Sequence, residues 1–189
     1  MEISSLSFSR IMGLPGGFSV VHCVGTVLLG IGLILHIVGL ATPSWASGTR
    51  TDSRGVSVTK MYGLWKLCDG SECKDLSDYS TNIPDTWKAA SAFSILGMVA
   101  GIAALGLACY HFIMRVLAKP ETQTLKFIIM VAGILALLCV IISTSCFGGG
   151  VYQKYEMDKA GLDIGYSLIL SAVGGIVICI GGVVFFVAS

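Results

Sequence analysis

Residues 45–73 read WASGTRTDSRGVSVTKMYGLWKLCDGSEC, a polar segment set between long apolar runs. It holds Trp45 and Trp65 and a close cysteine pair, Cys68 and Cys73, that flanks Asp69-Gly70-Ser71-Glu72. Asp-Gly is a strong turn signal, because glycine reaches positive φ at no steric cost. A tight turn there brings both sulfurs within bridging reach across a hairpin. A bridge requires an oxidising compartment; the alternative is two free thiols in a cytosolic loop. Zinc is disfavoured, since neither a second cysteine pair nor a histidine lies nearby in the loop. Upstream, Val56, Val58, Lys60 and Tyr62 fall on alternate positions, which predicts a strand running through Gly63-Leu64-Trp65 to Cys68, with a return strand after Cys73.

The flanks of this segment identify the surroundings. Apolar runs cover about residues 18–41, 88–114, 125–147 and 165–187, each long enough to cross a bilayer as a helix. The first is too long for a signal-peptide core and is followed by further spans, so it reads as a retained helix. The whole chain of 189 residues is 54% hydrophobic and 12% charged, against roughly 25% charged in a soluble domain. Its mean hydropathy is +0.85. These totals indicate a single integral membrane domain over residues 1–189, in contact with lipid. The net charge of +1 and the lack of like-charge runs give no reason to expect a nucleic-acid partner.

Between the second and third runs, Arg115, Lys119 and Lys126 outweigh Glu121. Positive residues mark the cytoplasmic side, so residues 115–124 and 1–17 are expected inside, and the loops 43–86 and 148–164 outside. A bridged Cys68–Cys73 pair demands the same side for the large loop. Gly148-Gly149-Gly150 is expected to break the third span.

Small residues recur along the spans. Gly25, Gly32 and Gly39 lie seven apart, Gly97 and Gly101 form a GxxxG pair, and Gly174 and Gly181 again lie seven apart. Such spacing lines small residues on one helix face, where a neighbouring helix can approach closely. His22 and His36 read as neutral packing residues, and His111 as an isolated histidine near the inner face. Cys23, Cys109, Cys139, Cys146 and Cys179 sit in or at the edges of the runs and read as small apolar fillers.

Chemistry is sparse. Apart from Lys88 and Lys126, at their edges, the spans carry no charged side chain, whereas pumps and transporters use such groups. Metal-binding helix motifs, catalytic triads and phosphate loops are missing from the sequence. The expectation is a protein that is not an enzyme and uses no cofactor and no metal.

Trp45, Gly63-Leu64-Trp65, Cys68 and Cys73, in the first large loop of a four-span chain, resemble the W…GLW…C…C signature of the claudins. The layout is similar to that of the superfamily that joins claudins, peripheral myelin protein, epithelial membrane proteins and the gamma-type auxiliary subunits of calcium channels and glutamate receptors. Weaker likeness extends to Lys88-Ala89-Ala90-Ser91-Ala92-Phe93 and Gly165-Tyr166-Ser167.

The resemblance implies a left-handed four-helix bundle capped by a small antiparallel sheet. That sheet would carry the disulfide and be anchored at the membrane surface by Trp45 and Trp65. It further implies a structural protein of cell–cell contacts at the plasma membrane, with both termini cytoplasmic. Such a protein assembles with itself or related four-span proteins in one membrane, meets the next cell through its loops, and shapes a paracellular barrier. The alternative implied is an auxiliary subunit that modulates a channel or receptor. Lys74 follows the second cysteine, where a charge in pore-forming claudins helps set ion selectivity, and would favour anions. Tyr152 and Tyr155 stand roughly where the second loop of many claudins carries an aromatic-Asn-Pro turn. The short cysteine spacing implies a trimmed sheet tip. The chain stops at Ser189, so a scaffold-binding tail is not expected.

Overall fold

A computed structural model describes residues 13–14, 18–51, 55, 57–79, 83–117, 123–153 and 161–188. A two-residue antiparallel pair, β1 (Gly13–Leu14) and β2 (Phe18–Ser19), precedes helix α1 (Val20–Ala41). The polar segment then forms β3 (Ala46–Thr51), β4 (Ser57–Tyr62), β5 (Lys66–Asp69) and β6 (Glu72–Asp75), followed by a single helical turn, α2 (Leu76–Tyr79). Helices α3 (Asp85–Val116) and α4 (Gln123–Ser145) come next, and α4 runs directly into a π-helix, Cys146–Tyr152. Strand β7 (Asp163–Ile164) leads into α5 (Tyr166–Val187).

Among the described residues, α1, α3, α4 with its π extension, and α5 are long and apolar enough to cross a membrane. Their outward faces carry Val27, Ile31, Ile34, Val99, Ile102, Leu135, Leu138 and Ile176, all well exposed. In water such rows would be an aggregation hazard, whereas lipid tails solvate them. The chain is an integral, multi-pass membrane protein. Its helices form a ring: α1 packs mainly on α5, α5 on α4, α4 on α3, and α3 more lightly on α1.

The tightest seam is α1 on α5, and glycine makes it. A Cβ added at Gly25 would lie 3.0 Å from the backbone nitrogen of Phe185, and one at Gly32 would lie 2.7 Å from that of Ile178. At Gly39 it would sit 2.6 Å from the Ser167 carbonyl oxygen. The partner face answers: a Cβ at Gly174 would lie 2.5 Å from the His36 nitrogen, and one at Gly181 2.8 Å from the Leu29 nitrogen. Two seven-residue glycine repeats, running antiparallel, interlock backbone to backbone. Gly97 instead faces Val140 and Ala136 of α4, and Gly101 faces the Leu33 side chain of α1 and the Ile178 side chain of α5, so the GxxxG pair serves three neighbours.

Some of the interior's sparse polar groups pair locally. His36, fully buried, shares a 2.8 Å hydrogen bond between Nδ1 and the Ser171 hydroxyl, and its Nε2 lies 3.0 Å from the Ser94 carbonyl oxygen. Lys126 is 3% exposed and its ammonium donates to the Ala188 carbonyl at 3.1 Å; it lies inside the end of the bundle rather than at its edge. His111 is not isolated: it stacks on His22 with ring centroids 5.1 Å apart, and Phe185 meets both rings edge-on.

The glycine triplet does not end the third span. The helix passes through Gly148-Gly149-Gly150 as a π-helix to Tyr152, because the neighbouring side chains are held. Phe147 and Val151 are fully buried, and Gly150 abuts Thr86, whose Cβ would be 2.6 Å from a Cβ there. Three glycines lower helix propensity, and tertiary packing overrides it.

The interlocked seam generates a contrast between glycines. Gly174→Ala drives a methyl group into the α1 backbone and should cost about 1–3 kcal/mol. By comparison, Gly30 and Gly106 have nothing within 4 Å of an added Cβ. Gly30→Ala and Gly106→Ala should be neutral or slightly stabilising through helix propensity. Thermal unfolding of the purified variants in detergent, followed by size-exclusion chromatography, separates the two groups.

Candidate functional site

Among the described residues the polar surface is concentrated in one sheet at one end of the bundle, with order β6-β5-β4-β3-β7 and every neighbouring pair antiparallel. Gly63-Leu64-Trp65 does not continue a strand. It is the turn that reverses β4 into β5: Tyr62 pairs with Leu67 and Lys60 with Asp69, and the Gly63 N–H donates to the Lys66 carbonyl at 2.9 Å. Gly63 is required there by close approach, since a Cβ would lie 2.6 Å from the Pro43 Cα. Strand β3 had no sequence signal, because Ala46-Ser47-Gly48-Thr49-Arg50-Thr51 lacks apolar alternation. It forms because β4 pairs with it along its whole length and β7 along its start.

Cys68 and Cys73 are directly opposed across β5 and β6 and are joined by a disulfide, with Cα atoms 4.0 Å apart. The two-residue turn between the strands is Gly70-Ser71, with Gly70 at φ +63°. Closing so short a loop contributes roughly 2 kcal/mol. Cys68 is buried against the sheet base and Cys73 is exposed.

The two motif tryptophans serve the end of α1. A helix leaves its last carbonyl oxygens without intrahelical partners, and near lipid each such group costs several kcal/mol if left unpaired. The Trp45 indole N–H donates to the Gly39 carbonyl at 2.8 Å, and the Trp65 indole N–H donates to the Leu40 carbonyl at 3.0 Å. The Val38 carbonyl accepts from both the Thr42 N–H (3.1 Å) and the Thr42 hydroxyl (2.7 Å). Trp45 is 0% exposed, so it is a buried cap and not an aromatic lying in the headgroup layer; Trp65, at 39%, does reach the surface. Phe147 wedges edge-on between Trp45 (5.2 Å) and Trp87 (5.8 Å). Leu64 and Leu67 complete this apolar cluster beneath the sheet.

The start of α5 is fastened to the same place. The Gly165 N–H donates to the Trp45 carbonyl at 2.9 Å, and the Ser167 N–H donates to the Ser44 carbonyl at 3.0 Å. A Cβ at Gly165 would collide with the Ser44 carbonyl. Sequence reasoning passed over Ser44 and Phe147 because neither stands in a patterned context. Gly165, immediately before an apolar run, carried the one available signal, that of a helix N-cap.

The sheet's outward face is mixed in charge. Lys60 and Asp69 form a 3.0 Å ion pair, exposed and therefore worth little. A shallow cleft of about 240 Å³ is lined by Lys60, Tyr62, Leu67, Asp69, Glu72 and Lys74. Lys74 thus sits beside acids, on edge strand β6, whose residues are all exposed. The Tyr152 hydroxyl donates to the Leu162 carbonyl at 2.6 Å, which ties the π-helix to the segment before β7. Tyr155 lies outside the described residues, as do Lys119 and Glu121 of the connector. Among the described residues there is no group of three His, Cys, Asp or Glu placed to hold a metal ion.

The caps generate a prediction. Trp45→Phe keeps the aromatic packing on Phe147 and removes the bond to Gly39. It should cost about 1–3 kcal/mol, the penalty of a buried acceptor left unpaired, and lower the unfolding temperature in detergent without loss of the Cys68–Cys73 bridge by thiol labelling.

No curated protein sequence matches the chain. The profile of the PMP-22/EMP/MP20/Claudin family matches residues 17–185, taking in the sheet and nearly all of the four spanning helices. With a bundle of membrane helices topped by a disulfide-bearing antiparallel sheet, the chain belongs to the PMP-22/EMP/MP20/Claudin family.

Proposed function

We propose that this claudin-like four-span protein is a structural component of cell–cell contacts at the plasma membrane. It is a single membrane domain without enzymatic activity, with both chain ends in the cytoplasm and the sheet outside. It assembles laterally with itself or related four-span proteins and meets neighbouring cells through the sheet and the loop before β7, shaping a paracellular barrier. Two features support the orientation: the excess of Arg115, Lys119 and Lys126 over Glu121 in the sequence around the connector between the second and third spans, and a disulfide in the sheet, which needs an oxidising compartment.

The carrying observation is where the small residues point. Gly25, Gly32, Gly39, Gly97, Gly101, Gly174 and Gly181 all face other helices of the same chain. The lipid-facing rows are mainly large aliphatic side chains. A subunit that docks its spans closely on a channel would be expected to keep a row of small residues on an outer face; Gly30 and Gly106, which have open space around them, lie on different helices. The more distinctive surface for a protein partner is the sheet, with its charge-mixed cleft and the open edge of β6. That favours contact through the loops over the auxiliary-subunit reading, with Lys74 and Tyr152 as interaction residues.

Tagged protein expressed in junction-free cells, mixed with untransfected neighbours, tests the proposal. Enrichment only where two expressing cells touch is the expected outcome. Even distribution around every cell would overturn it and direct attention to a channel or receptor partner. Replacing Cys68 and Cys73 together with Ser should reduce surface delivery and abolish border enrichment; unchanged enrichment would remove the bridged sheet from the contact.

A further inference from the structure

A second concavity lies below the sheet, between the α2 turn and the first turns of α3. It has a volume of about 570 Å³ and is walled by Trp65, Leu76, Ile83, Trp87, Ala92 and Ile95. Asp75 and Lys88 stand at its rim. Two observations say what belongs there. First, the groove opens toward the bilayer: Ile95 is itself exposed, and the same side of α3 continues as Leu96, Val99 and Ile102, all facing lipid. Second, the rim charges are of opposite sign, and the Lys88 ammonium is held only loosely by Asp85, at 3.7 Å.

We propose that this groove binds one molecule of a zwitterionic glycerophospholipid from the surrounding leaflet. Its phosphate lies against Lys88 and its cationic headgroup against Asp75. One acyl chain runs down the wall formed by Ile83, Ala92 and Ile95. The depths agree. Lys88 is in the first turn of α3, and Ile95 lies about 10 Å further along the helix, the order in which a phospholipid presents its charge and its methylenes. A sterol hydroxyl would leave both rim charges idle, and a purely anionic headgroup would meet Asp75. A lipid seated here bridges the sheet, through Trp65 and Asp75, to α3.

Full-length protein in phosphatidylcholine nanodiscs, doped with phosphatidylcholine carrying a diazirine on one acyl chain, provides the test. On illumination, crosslinks should concentrate on Ile83, Ala92 and Ile95, above the level at Ile169 and Ile176, lipid-exposed positions of α5 that report ordinary annular contact. Ile95→Trp, a change at an exposed position, should fill the groove and bring its labelling down to the annular level while α5 labelling stays constant. Lys88→Gln should lower groove labelling toward the annular level. Groove labelling no higher than on α5, or labelling unaffected by Ile95→Trp, overturns the proposal. So does displacement of the probe by cholesterol at equal mole fraction, which would assign the groove to a sterol.

Discussion

The last carbonyl oxygens of α1 are the constraint on which the sheet end of this molecule depends. A helix that stops at a membrane boundary must find donors for them, and here the donors are the indole N–H groups of Trp45 and Trp65, with Thr42 supplying its own N–H and hydroxyl. Because Trp45 precedes β3 and Trp65 stands in the turn between β4 and β5, capping the helix fixes two separate points of the sheet on it. The backbone carbonyls of Ser44 and Trp45 then receive the first N–H groups of α5. The end of one helix, the start of another and the root of the sheet share one hydrogen-bonded junction.

That junction would be of little use on a loose bundle. The glycine seam between α1 and α5 brings the two backbones into contact along nearly the full length of both helices. In a bilayer there is no hydrophobic drive to hold helices together, so close van der Waals approach supplies the cohesion. The isolated four-stranded hairpin array would be marginal. Set on a rigid pair of helices, closed by the Cys68–Cys73 bridge and underpinned by the edge-on Trp45–Phe147–Trp87 contacts, it becomes a fixed platform.

The platform presents a mixed-charge outer face above a bundle whose seam glycines are turned inward. The paired polar groups of the interior serve the bundle itself. His36 is bonded to Ser171 and Ser94, and Lys126 to the Ala188 carbonyl, so these groups join helices to one another.

Much of the architecture was legible in the chain. The four apolar runs, the placement of the charges between them and the turn chemistry at Asp69-Gly70 are local properties, dictated by the cost of polar groups in lipid and by the φ range of glycine. The site was legible in its parts and not in its assembly. Nothing in Ala46–Thr51 marks a strand, and nothing in the triplet Gly148-Gly149-Gly150 announces that the helix continues. In both cases non-local contacts outweigh weak local preference: β3 is held by β4 and β7, and the π-helix by Phe147, Val151 and Thr86. The sequence by itself determined that this is a membrane protein of four spans with one folded loop, because transfer of side chains between water and lipid depends on composition alone. Only the tertiary structure decided that Gly63-Leu64-Trp65 is a turn, that two tryptophans close a helix, and that the glycines of the two seven-residue repeats face inward. Each of these depends on which distant backbone atoms come within a few ångströms.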